Sequence, residues 1–433
     1  MKVISEIRSK INSYKERKDV KGLFSNFLSL VAIQGTNFIL PLLVLPYLIK
    51  VIGVEKFGLV SFAQVFIGYL IILTDYGFNL TSTRQIAIYR QDKEKLSEIV
   101  STTLVTKLAL CVLAFCILLF FIIIVPPFSA EKLLYILGFI MVLGQAIIPT
   151  WFFQGIEQMK YLTYINIAGK IFFTILIFIL IKKPADYIYV ILFYSMGNLV
   201  SGIIGLIIIF RVFGIGFKWP SLMQVKDAMK SGWFVFISNF SINAYVNSNL
   251  FILGLFTNNT ITGYYSIADK IIYAFRQLLN VFFQATYPRV CSIVTQGKEA
   301  LSSFFNAYAK PFVLIIGVAC SLLFLFSGYI ISILIKPASS DDIVVVIKIL
   351  AFVPFIVAAN IPAFQTLLAY NYQKSYMLIL ISGAALNIIT NTILVQLYSM
   401  KGTAIAVLIS EVFITLGLYL ILHIRQRSRT VFN

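Results

Sequence analysis

Charged residues are scarce in this chain. Only 12% of its 433 residues are Asp, Glu, Lys or Arg, whereas 60% are hydrophobic and the mean hydropathy is +0.92. A soluble protein of this length could not bury so much apolar surface, so the composition excludes a soluble enzyme. The net charge of +18 is assigned to the ends of membrane helices, where Lys and Arg set topology, and not to nucleic-acid binding.

Histidine and cysteine are also rare. The one histidine, His423, excludes a His-based catalytic triad or zinc site. The four cysteines lie in or at the ends of apolar segments, which indicates small core residues and not a disulfide or metal framework. No glycine-rich nucleotide loop occurs, so we expect no ATP hydrolysis, cofactor or metal. The cysteines are Cys111, Cys116, Cys291 and Cys320.

A cleavable signal peptide and a large extramembrane segment are lacking as well. The first 22 residues are basic, and Ile4, Ile7 and Ile11 recur at helical spacing. This pattern predicts an amphipathic cytoplasmic segment that lies on an anionic leaflet, or else a solvated tail. No connection is long enough for a catalytic domain outside the membrane.

Apolar runs of 18 or more residues recur along the whole chain, each sufficient to cross ~30 Å of hydrocarbon. The sequence therefore predicts an all-α polytopic membrane protein with about twelve transmembrane helices. We expect two six-helix lobes, residues 23–215 and 216–424, around a central cavity, with a basic tail at 425–433. The predicted helices are 23–48, 58–80, 99–125, 132–153, 160–181, 187–212, 230–256, 264–288, 311–335, 343–368, 375–396 and 402–423.

The distribution of Lys and Arg predicts the orientation. If both termini are cytoplasmic, 23 Lys and Arg lie on the cytoplasmic side against eight on the other. Positive residues are retained inside, so this ratio supports the assumption.

A short internal repeat links the two predicted lobes. Residues 57–64 align with residues 262–269 at a constant offset of 205, and the copy keeps Gly58, Ser61 and Ala63 as Gly263, Ser266 and Ala268. Six helices separate the copies, so both point the same way. The repeat is therefore predicted to be parallel, with its axis along the membrane normal.

Several charged residues fall at membrane depth, where a charge costs about 2.5–3.5 kcal/mol and normally faces a cavity or a partner. Helices 7 and 8 are predicted to line a wet, basic cavity that meets a phosphate-bearing substrate. In the alternative, their amides are interhelical contacts and Asp269 pairs with Arg276 or Lys270. For Lys170 the alternative is that the side chain extends to the membrane surface or pairs with a nearby group. The predicted cavity residues are Arg276, Lys270, Lys107, Asn243, Asn247, Tyr273 and Gln277, and Asp269 and Glu411 are predicted ion-coupling groups.

The stretch from Pro46 to Arg84, with Gly53-Val54-Glu55-Lys56-Phe57-Gly58 and Asp75-Tyr76-Gly77-Phe78-Asn79-Leu80, resembles the Wzx-type O-antigen flippases. These belong to the MOP superfamily, with the multidrug (MATE) exporters and the lipid II flippase. The resemblance implies a MATE-like fold in the bacterial inner membrane. The implied substrate is an undecaprenyl-diphosphate-linked oligosaccharide, moved to the periplasmic leaflet by alternating access. Antiport of H+ or Na+, and a downstream polysaccharide polymerase or chain-length regulator, are also implied.

Two other functions are compatible with a polytopic membrane protein. A cation-coupled drug exporter of the same fold would favour an acidic, aromatic cavity, whereas this one has four basic residues. A membrane glycosyltransferase or polymerase would show a long external loop with paired acids. Here only Asp341 and Asp342 are adjacent outside, in a short loop. A transporter, and not an enzyme, is therefore expected.

Overall fold

Every regular element among the residues described is a helix. The computed structural model describes the backbone of residues 2–335, 341–370 and 372–431, and side chains at 35, 40–240, 243, 247–294, 296–335, 341–370 and 372–425. The side chains of the predicted amphipathic segment and of most of the basic tail lie outside these residues. The α-helices of the first half of the chain are α1 (Lys2–Asp75), α2 (Phe78–Ile88), α3 (Lys93–Ile124), α4 (Pro126–Ala130), α5 (Lys132–Ile147), α6 (Thr150–Gly155), α7 (Met159–Leu180) and α8 (Tyr187–Ile207).

The second half of the chain contains α9 (Leu222–Phe256), α10 (Asn259–Ile293), α11 (Lys298–Phe304), α12 (Lys310–Leu334), α13 (Asp341–Leu350), α14 (Phe352–Ala369) and α15 (Gln373–Val431). Short 3₁₀ turns (Pro184–Asp186, Val294–Gln296) and π-helical turns (Ile208–Val212, Phe305–Ala309) join some of them. All twelve predicted segments are helical over nearly their whole length.

Eight helical stretches of the described chain are long and apolar enough to cross a membrane. Two of them are far too long for one crossing, since 49 residues of helix extend roughly 70 Å. Each contains a break, at Gly53 (φ 78°, ψ 165°) and at Ser399 (φ 53°, ψ −134°). Two further helices of 35 residues, α9 and α10, are not among these eight stretches, although the described part of α9 at Asn247–Phe256 is apolar. The spans are Leu40–Ile88, Lys93–Ile124, Lys132–Gly155, Met159–Leu180, Pro184–Val212, Lys298–Leu334, Asp341–Ala369 and Gln373–Arg425.

The repeat recognised in the sequence lies where the two halves of the chain touch. A methyl group on Gly58 would overlap the Asn259 carbonyl oxygen, and one on Gly263 would overlap that of Val54. These two contacts are the same contact twice, because the offset of 205 converts Val54 to Asn259 and Gly58 to Gly263. Such reciprocity is the mark of a twofold interface. The absence of side chains lets α1 and α10 cross with their backbones in contact.

Substitution of Gly58 tests this crossing. We expect Gly58→Ala to lower the free energy of unfolding by about 1–3 kcal/mol, because the added methyl must displace backbone. Thermal unfolding in detergent measures the change. Gly68→Ala, two turns and more along the same helix, is the control, since nothing lies within 4 Å of its new methyl. Equal unfolding midpoints for both variants would contradict the close crossing.

Candidate functional site

Helix α10 carries a polar exposed face. It begins at a capped end, where the Asn258 side chain accepts a hydrogen bond from the Ile261 amide at 2.9 Å. Its buried face is mainly apolar, with Tyr265, Ala268, Ile272 and Leu279 in contact with the core. The opposite face has Asp269, Tyr273, Asn280 and Gln284 exposed, at spacings of four, seven and four residues. Because lipid would not solvate these groups, the face requires a water-filled space.

Arg276 lies on the same face and reaches the second half of α15. Its Nη2 is 3.5 Å from Glu411 Oε1, and the side chains are 26% and 8% exposed. The pair therefore has one buried member, the carboxylate, and one that is still accessible to water. Of the carboxylates weighed from the sequence, Glu411 lies within ion-pair distance of Arg276, rather than Asp269. A guanidinium carries five N–H donors in a planar fork that matches the geometry of a phosphate or carboxylate.

Lys270 and Gln277 take the neighbouring face of α10. The Lys270 ammonium lies 5.8 Å from the centre of the Phe57 ring of α1, a cation–π contact that joins the two halves of the chain. Lys270 is half-buried, whereas Gln277 is 8% exposed.

Three asparagines of α9, Asn239, Asn243 and Asn247, follow each other at intervals of four residues. Asn243 donates to the Asn239 carbonyl at 2.9 Å, and Asn243 and Asn247 are half-buried. One turn on, α9 bonds to α15: Ser248 donates to Asn387 at 3.3 Å, and Asn391 donates to Asn249 at 3.2 Å.

Sequence reasoning missed Asn387 and Asn391, which are both completely buried. Their spacing of four in an otherwise apolar segment is the signal that could have found them, because it places two amides on one helix face. Their contacts show that the α9 amides serve partly as interhelical hydrogen bonds.

Lys107 lies in a different environment from Arg276. Its side chain is 1% exposed, and its ammonium is 2.8 Å from Asp75 Oδ1. Asn79 donates to the other oxygen of Asp75 at 2.8 Å. The structure thus brings Lys107 into a buried ion pair between α1 and α3, and not onto the exposed face of α10. A binding role for Lys107 stays a prediction.

Comparison with known proteins identifies the relatives of this chain. Residues 23–294 match the family model described as polysaccharide biosynthesis protein. A putative O-antigen transporter of Escherichia coli (strain K12) is 33% identical over 392 residues, covering 90% of this chain and 94% of the relative. A putative O-antigen transporter of Shigella dysenteriae is 28% identical over 394 residues, covering 90% and 98%.

Solved structures show the same fold. The inward-facing form of a MATE-family multidrug resistance transporter superposes with a TM-score of 0.64 at 15% identity, over 89% of this chain and 97% of that one. The inward closed form of the lipid II flippase MurJ gives 0.65 at 14% identity, over 92% and 86%. The family resemblance inferred from Pro46–Arg84 is confirmed. The apolar helices and the transporter relatives together identify a multi-pass membrane protein of the polysaccharide biosynthesis protein family.

Proposed function

Because the chain belongs to the polysaccharide biosynthesis protein family, we propose that it is a flippase for an undecaprenyl-diphosphate-linked oligosaccharide. It moves this lipid from the cytoplasmic to the periplasmic leaflet of the bacterial inner membrane. The observation that carries the proposal is the exposed polar face of α10, with Arg276 at its centre. The sugar and diphosphate pass along this face while the polyprenyl tail stays in lipid.

The groups on this face suit such a head group. Arg276 offers several N–H donors to a diphosphate, and Lys270 adds a second positive charge. Asn243, Asn247 and the exposed ring of Tyr273 offer hydrogen bonds and a flat surface to a sugar. Helix α10 carries two basic residues at membrane depth, Lys270 and Arg276, and one acidic residue, Asp269. This excess of positive charge favours an anionic cargo.

In this proposal the helices of the chain cross the membrane twelve times and form two lobes of six crossings each. The breaks at Gly53 and Ser399 divide two of the eight apolar stretches, and α9 and α10 cross as polar helices. Both termini are then cytoplasmic, in agreement with the excess of Lys and Arg on that side. In this orientation the Gly58–Gly263 crossing closes the periplasmic end, and separation of the two lobes there would open the path outward.

Competition for Arg276 would couple transport to an ion. The Glu411 carboxylate and the substrate diphosphate need the same guanidinium, so only one can hold it fully. Entry of H+ or Na+ at Glu411 would release Arg276 to the diphosphate, and loss of the ion would return it. Asp269 is exposed on α10, two turns before Arg276, and is the second group that could bind such an ion.

A cation-coupled drug exporter of the same fold is the second function. The exposed Asp269 carboxylate favours it, because a cationic drug would need an acidic partner. Arg276 and Lys270 on the same helix disfavour it.

Disruption of the gene tests the proposal. We expect completed repeat units to accumulate on undecaprenyl diphosphate at the cytoplasmic face, and surface polysaccharide built by the downstream polymerase to fall. Lipid extraction with mass spectrometry measures the carrier, and plasmid-borne wild type restores it. Incomplete sugars, or units that accumulate unpolymerised outside, would overturn the proposal. Unchanged carrier lipids with raised drug sensitivity would favour the exporter.

A further inference from the structure

A cavity of about 620 Å³ with both polar and apolar walls lies apart from the exposed face of α10. We call it the vestibule pocket. Its walls come from α2, α3 and the first turns of α9, so both halves of the chain contribute. The polar residues that matter here are Arg84, Gln85, Lys95, Glu98, Gln224 and Asp227. In the proposed orientation all three helix ends are cytoplasmic. Its volume is that of a small-molecule site, about 300–1,000 Å³.

The first part of α2 belongs to Pro46–Arg84, the stretch that resembles the Wzx-type flippases. Asp75, Asn79 and Lys107 fix the end of α1 against α3, and α2 follows directly after Gly77, whose φ is 82°. Ser82 then bonds to Thr103 of α3 at 2.9 Å, and both are buried. These contacts hold α2 so that Arg84 and Gln85, on its exposed side, line the pocket.

One charged cluster is already arranged across the pocket. Glu98 accepts a hydrogen bond from Lys95 at 2.9 Å and another from Gln224 of α9. The Glu98 side chain thereby joins the N-terminal half of the chain to the C-terminal half. Gln224 is itself fixed, because its oxygen accepts a hydrogen bond from the Ser221 amide at 2.7 Å.

The chemistry of the walls limits what can bind. Charged groups line three sides, which disfavours a lipid tail. Glu98 and Asp227 lie beside Arg84 and Lys95, so a simple anion would meet carboxylates as well as cations. A ligand that both donates and accepts hydrogen bonds would use carboxylates, amides and basic groups together. Tyr89, 44% exposed at the rim, adds a ring face.

We propose that the vestibule pocket binds sugar residues of the lipid-linked oligosaccharide on the cytoplasmic side and selects which oligosaccharide enters. This inference rests on the proposed function. It assigns selection of the oligosaccharide before entry to the vestibule pocket, whereas Arg276 binds the diphosphate and Asn243, Asn247 and Tyr273 contact the sugar during passage. Because α9 supplies part of the wall, movement of the two halves against each other would alter the pocket and release the sugar.

The test compares two probes on purified protein in nanodiscs. One is undecaprenyl diphosphate, and the other is the glycosylated carrier extracted from cells in which the gene is disrupted. Wild type should bind the glycosylated probe more tightly. Gln85→Ala combined with Asp227→Ala should reduce that preference about tenfold and leave binding of the bare carrier unchanged, because only contacts to sugar are lost. Both residues are exposed, so the variant should fold.

The matched control is Gln296→Ala combined with Glu299→Ala, which removes the same two kinds of group from another exposed cytoplasmic turn. It should bind both probes as wild type does. A preference that survives in the vestibule variant would overturn the site while the flippase stands. Failure of wild type to bind either probe would instead overturn the proposed function, and the vestibule pocket with it.

Discussion

Arg276→Ala is expected to reduce transport at least tenfold without lowering the amount of protein in the membrane. Loss of the guanidinium removes charge-assisted hydrogen bonds to the diphosphate, each worth about 1.5–3 kcal/mol. We expect the fold to survive, because the Arg276 side chain is still 26% exposed to water. Surface polysaccharide in a disrupted strain, with immunoblotting of the membrane fraction, measures both effects.

Arg289→Ala is the matched control for this experiment. Arg289 lies on the same helix and is exposed near the C-terminal end of α10, so its loss removes one positive charge from α10 outside the polar face. We expect normal transport from it. Arg276→Lys should retain part of the activity, because the charge persists but bidentate binding does not. Wild-type polysaccharide from Arg276→Ala would remove Arg276 from the path of the substrate.

The helices and the repeat could be predicted from the sequence because both are local properties. Apolar runs indicate helices wherever the backbone must be satisfied without water. Asp269, Tyr273, Arg276 and Asn280 are spaced at i, i+4, i+7 and i+11, which is the spacing of one helix face, and they share a face of α10. The shared Gly58 and Gly263 predicted related halves, although alignment gave no indication that the two glycines touch each other.

The partners of the buried charges could not be predicted, since they depend on which helices pack together. Arg276 and Glu411 are 135 positions apart, and Asp75 and Lys107 are 32 apart. Near Arg276 the sequence offered Asp269 as the partner, because one helix places these residues two turns apart. In the structure α15 packs beside α10 and brings Glu411 within 3.5 Å of Arg276. Likewise, a lysine in an apolar helix indicates a cavity or an ion pair equally well.

Asp75→Asn should destabilise the protein strongly, and the loss should be recovered by a second substitution. Without the carboxylate, the ammonium of Lys107 would be buried with no counter-charge, which costs about 3–5 kcal/mol. We expect a lower midpoint of thermal unfolding in detergent and less protein in the membrane. Asp75→Asn combined with Lys107→Met removes both charges and should restore most of this stability. The double-mutant cycle gives the coupling energy directly.

The double variant also decides whether Lys107 has a second role. If its charge only holds α1 against α3, the stable double variant should transport as wild type does. If Lys107 contacts the diphosphate during transport, the double variant should be folded but inactive, because packing has been restored and the cation has not. Lys170→Met controls for loss of a lysine from a membrane helix, since no carboxylate pairs with Lys170 in the described chain. A single Asp75→Asn variant as stable as wild type would show that the ion pair contributes little to the fold.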